Sequence, residues 1–519
     1  MSRLERPVTS MDSFVARAAK VSATHGLRPE PVATAMSCSL LPYRSGCRRQ
    51  SEVDEEMEPV DDSDLFKMFG AALGLAPPWQ VTSVEFNKLL GVLEIGLDFP
   101  RGSRFACAHQ GCGEPACPVH DTTEKRWRHL DFFEHQAFLS ARVPRVNCAE
   151  HGIHLVAVPW ARPGSGFTLL MEVAMLTFAK QMPIAPLAAM AREHDTRIWR
   201  VIEHHVHTAR AGLDSSSVTK VGCDETSARR GQDYVSLFMD LEARRVMFAT
   251  PGKDAETLKA FAEDLAARGG EPKTQVEEVT CDMSAAFIAG IGSYLAEHAE
   301  DEAAPKADTP FDTGELNAAA LESTVNSKRT PSEGDDAAAE LHSPRITFDR
   351  FHAAAKANEA VDQVRRAESK TRPELKRSRY VWLKNEANLT VKQRDKLTWL
   401  TRPSMQLKTA RAARWRDDFN EFYNKSDPEE AEAYLKRWCY GAKRSRLDPI
   451  KAFVATVEAH WDGIIAWQQS RLTNGLLEAT NSLVQAAKRR ARGYRSKAKM
   501  ITIIYLIAGK LPLPEIHTI

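Results

Sequence analysis

The stretch that decides the fold is VGCDETSARRGQDYVSLFMDL, residues 221–241. It contains two apolar segments separated by a turn at Gly231, and an acid pair, Asp224 and Glu225, follows the first segment. A carboxylate inside a sheet is costly unless it is paired or bound to a metal. The stretch predicts a β-hairpin, and Asp224 is either an exposed acid at a strand end or a functional carboxylate.

Strands and helices alternate around this hairpin, which predicts an α/β core over residues 216–296 and 344–372. In chain order the segments are the strands KVGCDET, YVSLFMDL and RRVMFAT, the helix DAETLKAFAEDLAARGG, the strand VEEVTCD, the helix AAFIAGIGSYLAEHA, the strand PRITFD and the helix RFHAAAKANEAVDQVRRAE. Residues 297–343, between the two parts, are acidic and poor in large apolar side chains. We expect them to form a disordered insertion.

The rest of the chain divides by its patterns into five further segments. Residues 1–64 show no sustained period and contain an acidic run, as a disordered tail or an upstream extension would. Residues 65–160 contain short strands such as VLEIGLDF and FLSARVPRV, and residues 161–215 predict helices. Residues 373–470 predict a charged helical insertion with interleaved aromatic residues, and residues 471–519 predict one strong helix with a basic turn.

Composition excludes few classes of protein. The chain has 519 residues, and its 70 Lys and Arg nearly balance its 69 Asp and Glu, so only local charge is informative. No apolar run approaches the roughly 20 residues that span a bilayer, and no apolar segment of a signal peptide follows the first residues. We therefore expect an intracellular, cytoplasmic protein without a membrane partner.

Three acids stand out by their positions. Asp224 and Asp282 each follow a predicted strand, and Glu478 lies on the helix that begins near Asn474. Functional groups of α/β sheets gather beyond the carboxyl ends of strands. Such acids would form the all-oxygen site that Mg²⁺ prefers, and two ions would act on a phosphodiester. Spacing alone does not exclude simple solvent exposure, nor does it exclude Asp349 as a fourth acid.

A cluster of cysteine and histidine predicts a structural zinc site. Tetrahedral zinc takes four thiolate or imidazole ligands, usually as two close pairs. Cys148 and His151 form one pair, and Cys107 and Cys112 form the other across a four-residue gap. The alternative to the second pair is Cys117 with His120.

Two regions predict contacts with DNA. Residues 182–210 fit a helix-turn-helix with a turn and N-cap at Asp195-Thr196, and Arg197 and Arg200 lie near the start of its recognition helix. A basic run without acids follows Glu478 and suits DNA phosphates; it comprises Lys488, Arg489, Arg490, Arg492, Arg495, Lys497 and Lys499. We interpret Trp382, Trp399 and Trp415 as core residues, with stacking on unpaired bases as the alternative.

Four motifs in order carry a resemblance to a known family. CDETSARRGQDYVSLFMDL, VTCDMS, ITFDRFHAAAKANEAVDQVRR and RLTNGLLEATNSLVQAAKRRARGYRS resemble successive motifs of the ISL3-type insertion-sequence transposases, and the resemblance runs from about Met68 to the C-terminus. It implies a multidomain α/β protein of the DDE group. An RNase H-like mixed sheet with a helical insertion would follow a small zinc-binding β domain and a helix-turn-helix.

The resemblance also implies roles for residues. Asp224, Asp282 and Glu478 match the family's catalytic carboxylates, which hold two Mg²⁺ (or Mn²⁺) ions. Asp349 and His352 match a motif for which a structural turn is at least as good an interpretation as a contact to DNA or metal. Asn474 and Asn481 share the helical face of Glu478, where they would orient it, although helix capping is the alternative for Asn474. Glu225 should point away from Asp224 on a strand and is left out of the metal set.

The resemblance implies partners as well. Double-stranded DNA is expected, as the terminal inverted repeats of an element and as target DNA, in a homo-oligomer that is at least a dimer and is associated with the nucleoid. The family's first cysteine pair is tighter than Cys107 and Cys112, which keeps Cys117 and His120 open. A non-catalytic repressor derived from a transposase and an RNase H-like nuclease are the alternative functions.

Overall fold

The structure is a computed structural model that describes residues 62–109, 111–229, 231, 233–297, 341–472 and 474–515. The predicted tail over 1–64 and the predicted acidic insertion over 297–343 therefore lie almost entirely outside the described residues. Helix α1 (Asp62–Ala72) begins within the last three residues of that predicted tail. Within the described ranges, no helix is long and apolar enough to cross a membrane.

The first sheet has six strands in the described residues, in the order β1-β2-β5-β4-β3 with β6 paired to β5. They are β1 (Gln80–Asn87), β2 (Val92–Asp98), β3 (Arg104–Phe105), β4 (Cys117–Arg128), β5 (Gln136–Cys148) and β6 (Gly152–Leu155). Its core contains three buried tryptophans, and the rings of Trp79 and Trp160 lie 4.8 Å apart. The predicted strands VLEIGLDF and FLSARVPRV correspond to β2 and to part of β5.

Three helices follow, as the sequence predicts: α2 (Leu169–Ala179), α3 (Ile184–Ala191) and α4 (Asp195–Ala211). The prediction of Asp195-Thr196 as the N-cap of α4 is wrong, because Asp195 is already helical. The N-cap is His194, which has extended backbone angles and whose side chain accepts a hydrogen bond from the Thr196 amide at 3.3 Å. The imidazole thereby satisfies one of the free amides of the first turn.

The second sheet is the mixed sheet that the sequence predicts, in the order β11-β10-β7-β8-β9. Its strands are β7 (Lys220–Arg229), β8 (Asp233–Asp240), β9 (Arg245–Pro251), β10 (Glu278–Cys281) and β11 (Arg345–Phe348). β7, β8 and β9 are antiparallel neighbours, whereas β10 runs parallel to both β7 and β11. This sheet confirms the expected multidomain α/β fold.

The quoted stretch forms a longer hairpin than the sequence predicts. Asp224 does not end its strand, because β8 keeps pairing with β7 as far as Arg229. Gly231 makes the turn with φ of 98°, a left-handed conformation that glycine adopts without strain. Asp224 consequently lies in the middle of β7, level with the place where the neighbouring strand β10 ends.

The two faces of this sheet pack against different helices. The first face shares a core with helices α5 (Glu256–Ala266) and α7 (Ala285–Tyr294) and with α8 (Arg350–Glu368). The charged helical region joins the same core; its helices are α9 (Arg379–Leu383), α10 (Val391–Leu400), α11 (Lys408–Glu421), α12 (Pro428–Ala442), α13 (Asp448–Ala459) and α14 (Trp461–Ser470). A short helix, α6 (Pro272–Gln275), precedes β10.

The opposite face packs against α2, α3 and α4 together with two C-terminal helices, α15 (Gly475–Arg490) and α16 (Lys497–Ala508). Tyr505 on α16 accepts a hydrogen bond from the Ala249 amide of β9 at 2.8 Å. The predicted helix-turn-helix is therefore built into the core of the central sheet. These helices share one core with α15, which contacts β7.

The predicted treatment of the tryptophans as core residues agrees with the packing of two of them. Trp382 is 2% exposed, and the Trp415 ring lies 6.4 Å from the Trp438 ring. Trp399, in contrast, is 39% exposed. Of the three, only Trp399 has a ring open enough to stack on a base.

Helix α14 approaches β11 so closely that only glycine fits at residue 463. A Cβ atom there would lie 2.4 Å from two atoms of the Phe348 ring. We expect Gly463→Ala to lower the free energy of unfolding by about 1–3 kcal/mol, because the ring cannot move without disturbing the core. In a urea titration, the matched change Gly292→Ala, a helical site with no atom within 4 Å, should be neutral or stabilising. Equal unfolding midpoints for the two variants would contradict this packing.

Candidate functional site

The parallel register of three strands brings three aspartates to one level of the sheet. Gly222 pairs with Thr280, and Thr280 pairs with Thr347. Two residues beyond each of these positions the chain has Asp224, Asp282 and Asp349. The carboxyl ends of β10 and β11 thus meet the middle of β7 in a row of acids, which includes the fourth acid that spacing did not exclude.

Asp224 is held by two hydrogen bonds. Its Oδ2 accepts from Asn481 Nδ2 at 2.7 Å, and its Oδ1 accepts from the Glu225 amide at 2.8 Å. Burial raises the pKa of the Asp224 carboxyl, and the charges of Asp282 and Asp349 raise it further, against the opposing effects of the Glu225 amide and of His352. This carboxylate therefore lies in a field of like charge that a bound cation would relieve.

Asp282 lies just beyond β10 and accepts a hydrogen bond from the Ser284 amide at 3.0 Å. Its charge acts on Glu225, whose pKa is raised first by burial and then by Asp282. The sequence interpretation assumed that strand alternation removes Glu225 from the site, and it missed this proximity. No sequence pattern indicates that Glu225 lies near Asp282, because their proximity depends on the pairing of β10 with β7.

Asp349 is completely buried at the start of α8, and its two carboxylate oxygens make no hydrogen bond within the described structure. Its closest charged neighbour is His352, whose Nδ1 lies 3.5 Å from Asp349 Oδ2. The Asp349 carboxylate raises the pKa of His352 against the opposing effect of burial. The imidazole of His352 therefore lies near the acids of the site.

Glu478 projects from the first turns of α15 and is half-buried. Burial raises the pKa of its carboxyl, as does the charge of Asp349, whereas His352 lowers it. Among the described residues no hydrogen bond or ion pair to this carboxylate is formed. Glu478 thus approaches the row of acids at its Asp349 end.

The two asparagines that flank Glu478 fasten α15 to the sheet. Asn474 is completely buried, and its side-chain oxygen accepts a hydrogen bond from Thr280 Oγ1 of β10 at 3.0 Å. Although Asn474 occupies the N-cap position, its side chain caps no amide. Asn481 contacts Asp224, so the carboxylate that an asparagine orients is Asp224 and not the predicted Glu478.

The structure places Asp224 and Asp282 at one level of the sheet and Glu478 near Asp349 and His352. In the described part of the chain, the only group of three or more metal-ligand side chains with all ligand atoms within 4.8 Å is the cysteine-histidine cluster. The donor set at the acidic site consists of oxygen atoms under mutual repulsion, which is the chemistry that Mg²⁺ or Mn²⁺ neutralises. These residues therefore fit a divalent cation.

The predicted zinc ligands Cys107, Cys112, Cys148 and His151 have ligand atoms within 4.8 Å of one another. The sulfur atoms of Cys112 and Cys148 are 3.8 Å apart, and those of Cys107 and Cys148 lie 3.8 and 3.7 Å from His151 Nδ1. Zinc–sulfur bonds of about 2.3 Å in a tetrahedron require sulfur atoms about 3.8 Å apart. The side chain of His151 lowers the pKa of Cys148 to about 6, which favours the thiolate that zinc binds.

The alternative ligands lie differently. Cys117 is buried at the start of β4, and burial raises the pKa of its thiol. His120 faces Asp121, with Nδ1 3.3 Å from Oδ2. Sequence reasoning missed His154, whose Nε2 lies 3.2 Å from the sulfur of Cys107. Its position three residues after His151 on β6 was the available signal.

The two predicted recognition-helix arginines differ in their surroundings. Arg197 pairs with Glu193 and lies over the Phe167 ring at 4.2 Å, so it also holds the helices together. Arg200 is exposed one turn further along α4. Of the two, Arg200 is the freer to reach a DNA groove.

The basic C-terminal residues divide in the same way. Lys488 Nζ donates to the Ser227 carbonyl at 2.6 Å, and Arg490 donates to the Gln181 carbonyl at 2.7 Å. The side chains of Arg489, Arg492 and Arg495 are exposed and have no hydrogen-bond or ion-pair partner in the described ranges. The exposed three form a cationic patch at the far end of the helix that carries Glu478.

Three family models match the chain in the order of its domains. The zinc-finger of transposase IS204/IS1001/IS1096/IS1165 matches residues 104–151. The helix-turn-helix domain of transposase family ISL3 matches residues 156–206. The transposase domain model of the same family matches residues 221–300 and 336–504.

Curated relatives extend this similarity over most of the chain. The transposase for insertion sequence element IS1557 of Mycobacterium tuberculosis is 29% identical over 403 residues, which cover 76% of this chain and 84% of the relative. The transposase for insertion sequence element IS1001 of Bordetella parapertussis is 24% identical over 405 residues, which cover 74% of this chain and 85% of the relative. The matched residues extend well beyond any single motif.

The zinc ligands can be tested by paired substitutions. Cys148→Ala should abolish zinc binding, because it removes a thiolate from the centre of the cluster. Cys117→Ala and His120→Ala should keep about one zinc per chain, because those side chains lie outside the four-atom group. Elemental analysis of the purified proteins measures the difference, and zinc loss in Cys117→Ala would show that the ligand set is wrong.

Replacement of Asp224 by Asn should stabilise the metal-free protein at neutral pH. The raised pKa means that the folded state binds a proton at this carboxyl more tightly than the unfolded state does, so the ionised form costs stability above that pKa. Asn481 can rotate its amide to donate or accept, since its own oxygen has no partner in the described structure. The difference in free energy of unfolding between the variant and the wild type, measured by urea titration, should decrease as the pH is lowered from about 7 to about 4. The exposed change Glu263→Gln on α5 should give no such gain, and an unchanged or lower stability for Asp224→Asn would contradict the electrostatic account.

Proposed function

The chain belongs to the ISL3 family of transposases, and we propose that it binds the terminal inverted repeats of an insertion sequence and catalyses cleavage and strand transfer at those ends. The observation that carries this proposal is the row of Asp224, Asp282 and Asp349 beside Glu478. Such a row belongs to an enzyme, because a DNA-binding scaffold gains nothing from burying like charges.

The catalytic carboxylates are Asp224, Asp282 and Glu478, which would hold two Mg²⁺ or Mn²⁺ ions. When bound, the metal supplies charge stabilisation and a more acidic water at the scissile phosphodiester. Asn481 keeps one oxygen of Asp224 fixed by its hydrogen bond. Asn474 holds the start of α15 on β10 and thereby sets the height of Glu478 above the sheet. The first product is a free 3′-hydroxyl, which then attacks target DNA.

The DNA is held by basic residues from two regions of the chain. Arg489, at the end of the helix that carries Glu478, and Arg492 and Arg495, just beyond that helix, neutralise DNA phosphates. Arg200 reads or positions the repeat from α4, while Arg197, Lys488 and Arg490 contribute through the contacts that stabilise the surface. The zinc centre acts structurally, because four protein ligands leave no open position for chemistry. Two element ends have to be held together, so the active form is at least a dimer.

A reaction with labelled terminal-repeat DNA and Mg²⁺ tests this function. The wild-type protein should nick the repeat end and join it to a target duplex. Asp224→Ala, Asp282→Asn and Glu478→Gln should each lower the cleavage rate by at least about 100-fold. They should keep their affinity for the repeat, measured by fluorescence anisotropy. Glu263→Gln serves as the matched acid-to-amide control and should cleave like the wild type.

The outcomes separate the alternatives. Cleavage without joining would indicate an RNase H-like nuclease. Repeat binding without cleavage by the wild-type protein would indicate a non-catalytic repressor and would reject the enzyme. A Mg²⁺-dependent rise in melting temperature of the wild type that is absent from Asp224→Ala would locate the metal independently of activity.

A further inference from the structure

The carboxylate of Asp349 does not cap its helix, although it occupies the N-cap position. An aspartate at a helix N-cap normally accepts a hydrogen bond from an amide of the first turn. Asp349 occupies the N-cap of α8, but its side chain caps no amide, and within the described structure both of its oxygens lack any hydrogen-bond partner. Because the side chain is completely buried, leaving these oxygens without a donor is costly.

The imidazole of His352, one turn along the same helix, lies beside Asp349. Nδ1 of His352 lies 3.5 Å from Asp349 Oδ2, and the imidazole is 37% exposed. Nδ1 is buried beside this carboxylate, which leaves Nε2 as the ring nitrogen available to a substrate. A buried carboxylate behind a half-exposed imidazole is the usual means of fixing a histidine for proton transfer.

Three carboxylates and one tyrosine hydroxyl from other elements lie near this pair. The charges of Asp224 on β7 and Asp282 beyond β10 raise the pKa of His352. The pKa of Glu478 on α15 is raised by the Asp349 charge and lowered by His352. Tyr423, from the helical region, is buried beside Asp349, and the Asp349 charge adds to the burial that raises the pKa of its hydroxyl. The imidazole of His352 therefore lies near the proposed catalytic acids.

We propose that His352 is the general acid of strand cleavage, which protonates the leaving 3′-oxygen, and that buried Asp349 is its positioning residue. This inference rests on the proposed function. A water molecule attacks the phosphorus, the bond between phosphorus and the 3′-oxygen breaks, and the proton on Nε2 moves to that oxygen. The products are a 3′-hydroxyl and a 5′-phosphate, and His352 regains its proton from solvent.

Sulfur substitution at the leaving atom tests the proton transfer directly. Two repeat duplexes are compared, one natural and one with a 3′-bridging sulfur at the scissile bond, both in Mn²⁺ and under single-turnover conditions. A thiolate leaves without protonation, since a thiol is far more acidic than an alcohol. His352→Ala should slow cleavage of the oxygen substrate by about 100-fold or more, and the defect should shrink by at least about tenfold on the sulfur substrate.

Two further variants complete the design. Asp349→Asn should show a smaller defect with the same dependence on the leaving atom, because it loosens His352 without removing it. Gln363→Ala, at an exposed position on the same helix, should cleave both substrates like the wild type. Circular dichroism melting and anisotropy with the repeat establish that each variant folds and binds DNA.

The results distinguish the inference from the function on which it rests. No cleavage by the wild-type protein would reject the proposed function. Normal cleavage by His352→Ala would reject the inference alone, as would an equal defect on the oxygen and sulfur substrates, which would mean that His352 merely supports the fold. A defect confined to the oxygen substrate establishes the proton transfer.

Discussion

The parallel register of β7, β10 and β11 is the constraint on which the site depends. It sets Gly222, Thr280 and Thr347 level, so that the acids two residues further on form a row. Burial and like charge both disfavour the ionised carboxylate there, and the raised pKa of Asp224 expresses that cost. Apolar cores on both faces of the sheet offset it. The fold thus stabilises a site that is electrostatically unfavourable without a cation.

Helix α15 connects the chemistry to DNA binding. Its first turns carry Glu478, its middle holds Asp224 through Asn481, and its last turn carries Arg489. Arg492 and Arg495 follow in the segment between α15 and α16. The helix can lie this close to β7 because residue 222 is glycine; a Cβ there would meet a Leu477 methyl carbon at 2.5 Å. The same helix shares a core with α2, α3 and α4. The predicted helix-turn-helix and α15 therefore pack in one apolar core.

Much of the secondary structure is predictable from the sequence, whereas the site is predictable only in part. Helix α4 lies where the sequence predicts a recognition helix, although it begins at the residue predicted as its N-cap, and the strands of the quoted hairpin lie where their apolar runs indicate. Strand β4 has no apolar run that would predict it, because most of its residues are exposed and polar. Its extended conformation depends on hydrogen bonding to β5. The candidate acids can be identified from their sequence motifs. The proximity of Glu225 to Asp282 cannot be predicted from the sequence, because the two residues are more than fifty positions apart and are brought together by strand pairing.

The sequence by itself determined the order of the domains, the hairpin, the zinc-type cluster and the residues that match the family's catalytic motifs. These features depend on local pattern and on residue type. The tertiary structure alone decided which side chains contact one another. Asn481 donates a hydrogen bond to Asp224 across 257 residues of sequence, and Asn474 accepts one from Thr280 across 194. Asp349 is buried with His352 Nδ1 3.5 Å away. Such pairings depend on strand register and helix placement, which the packing of the whole core sets and which no local stretch encodes.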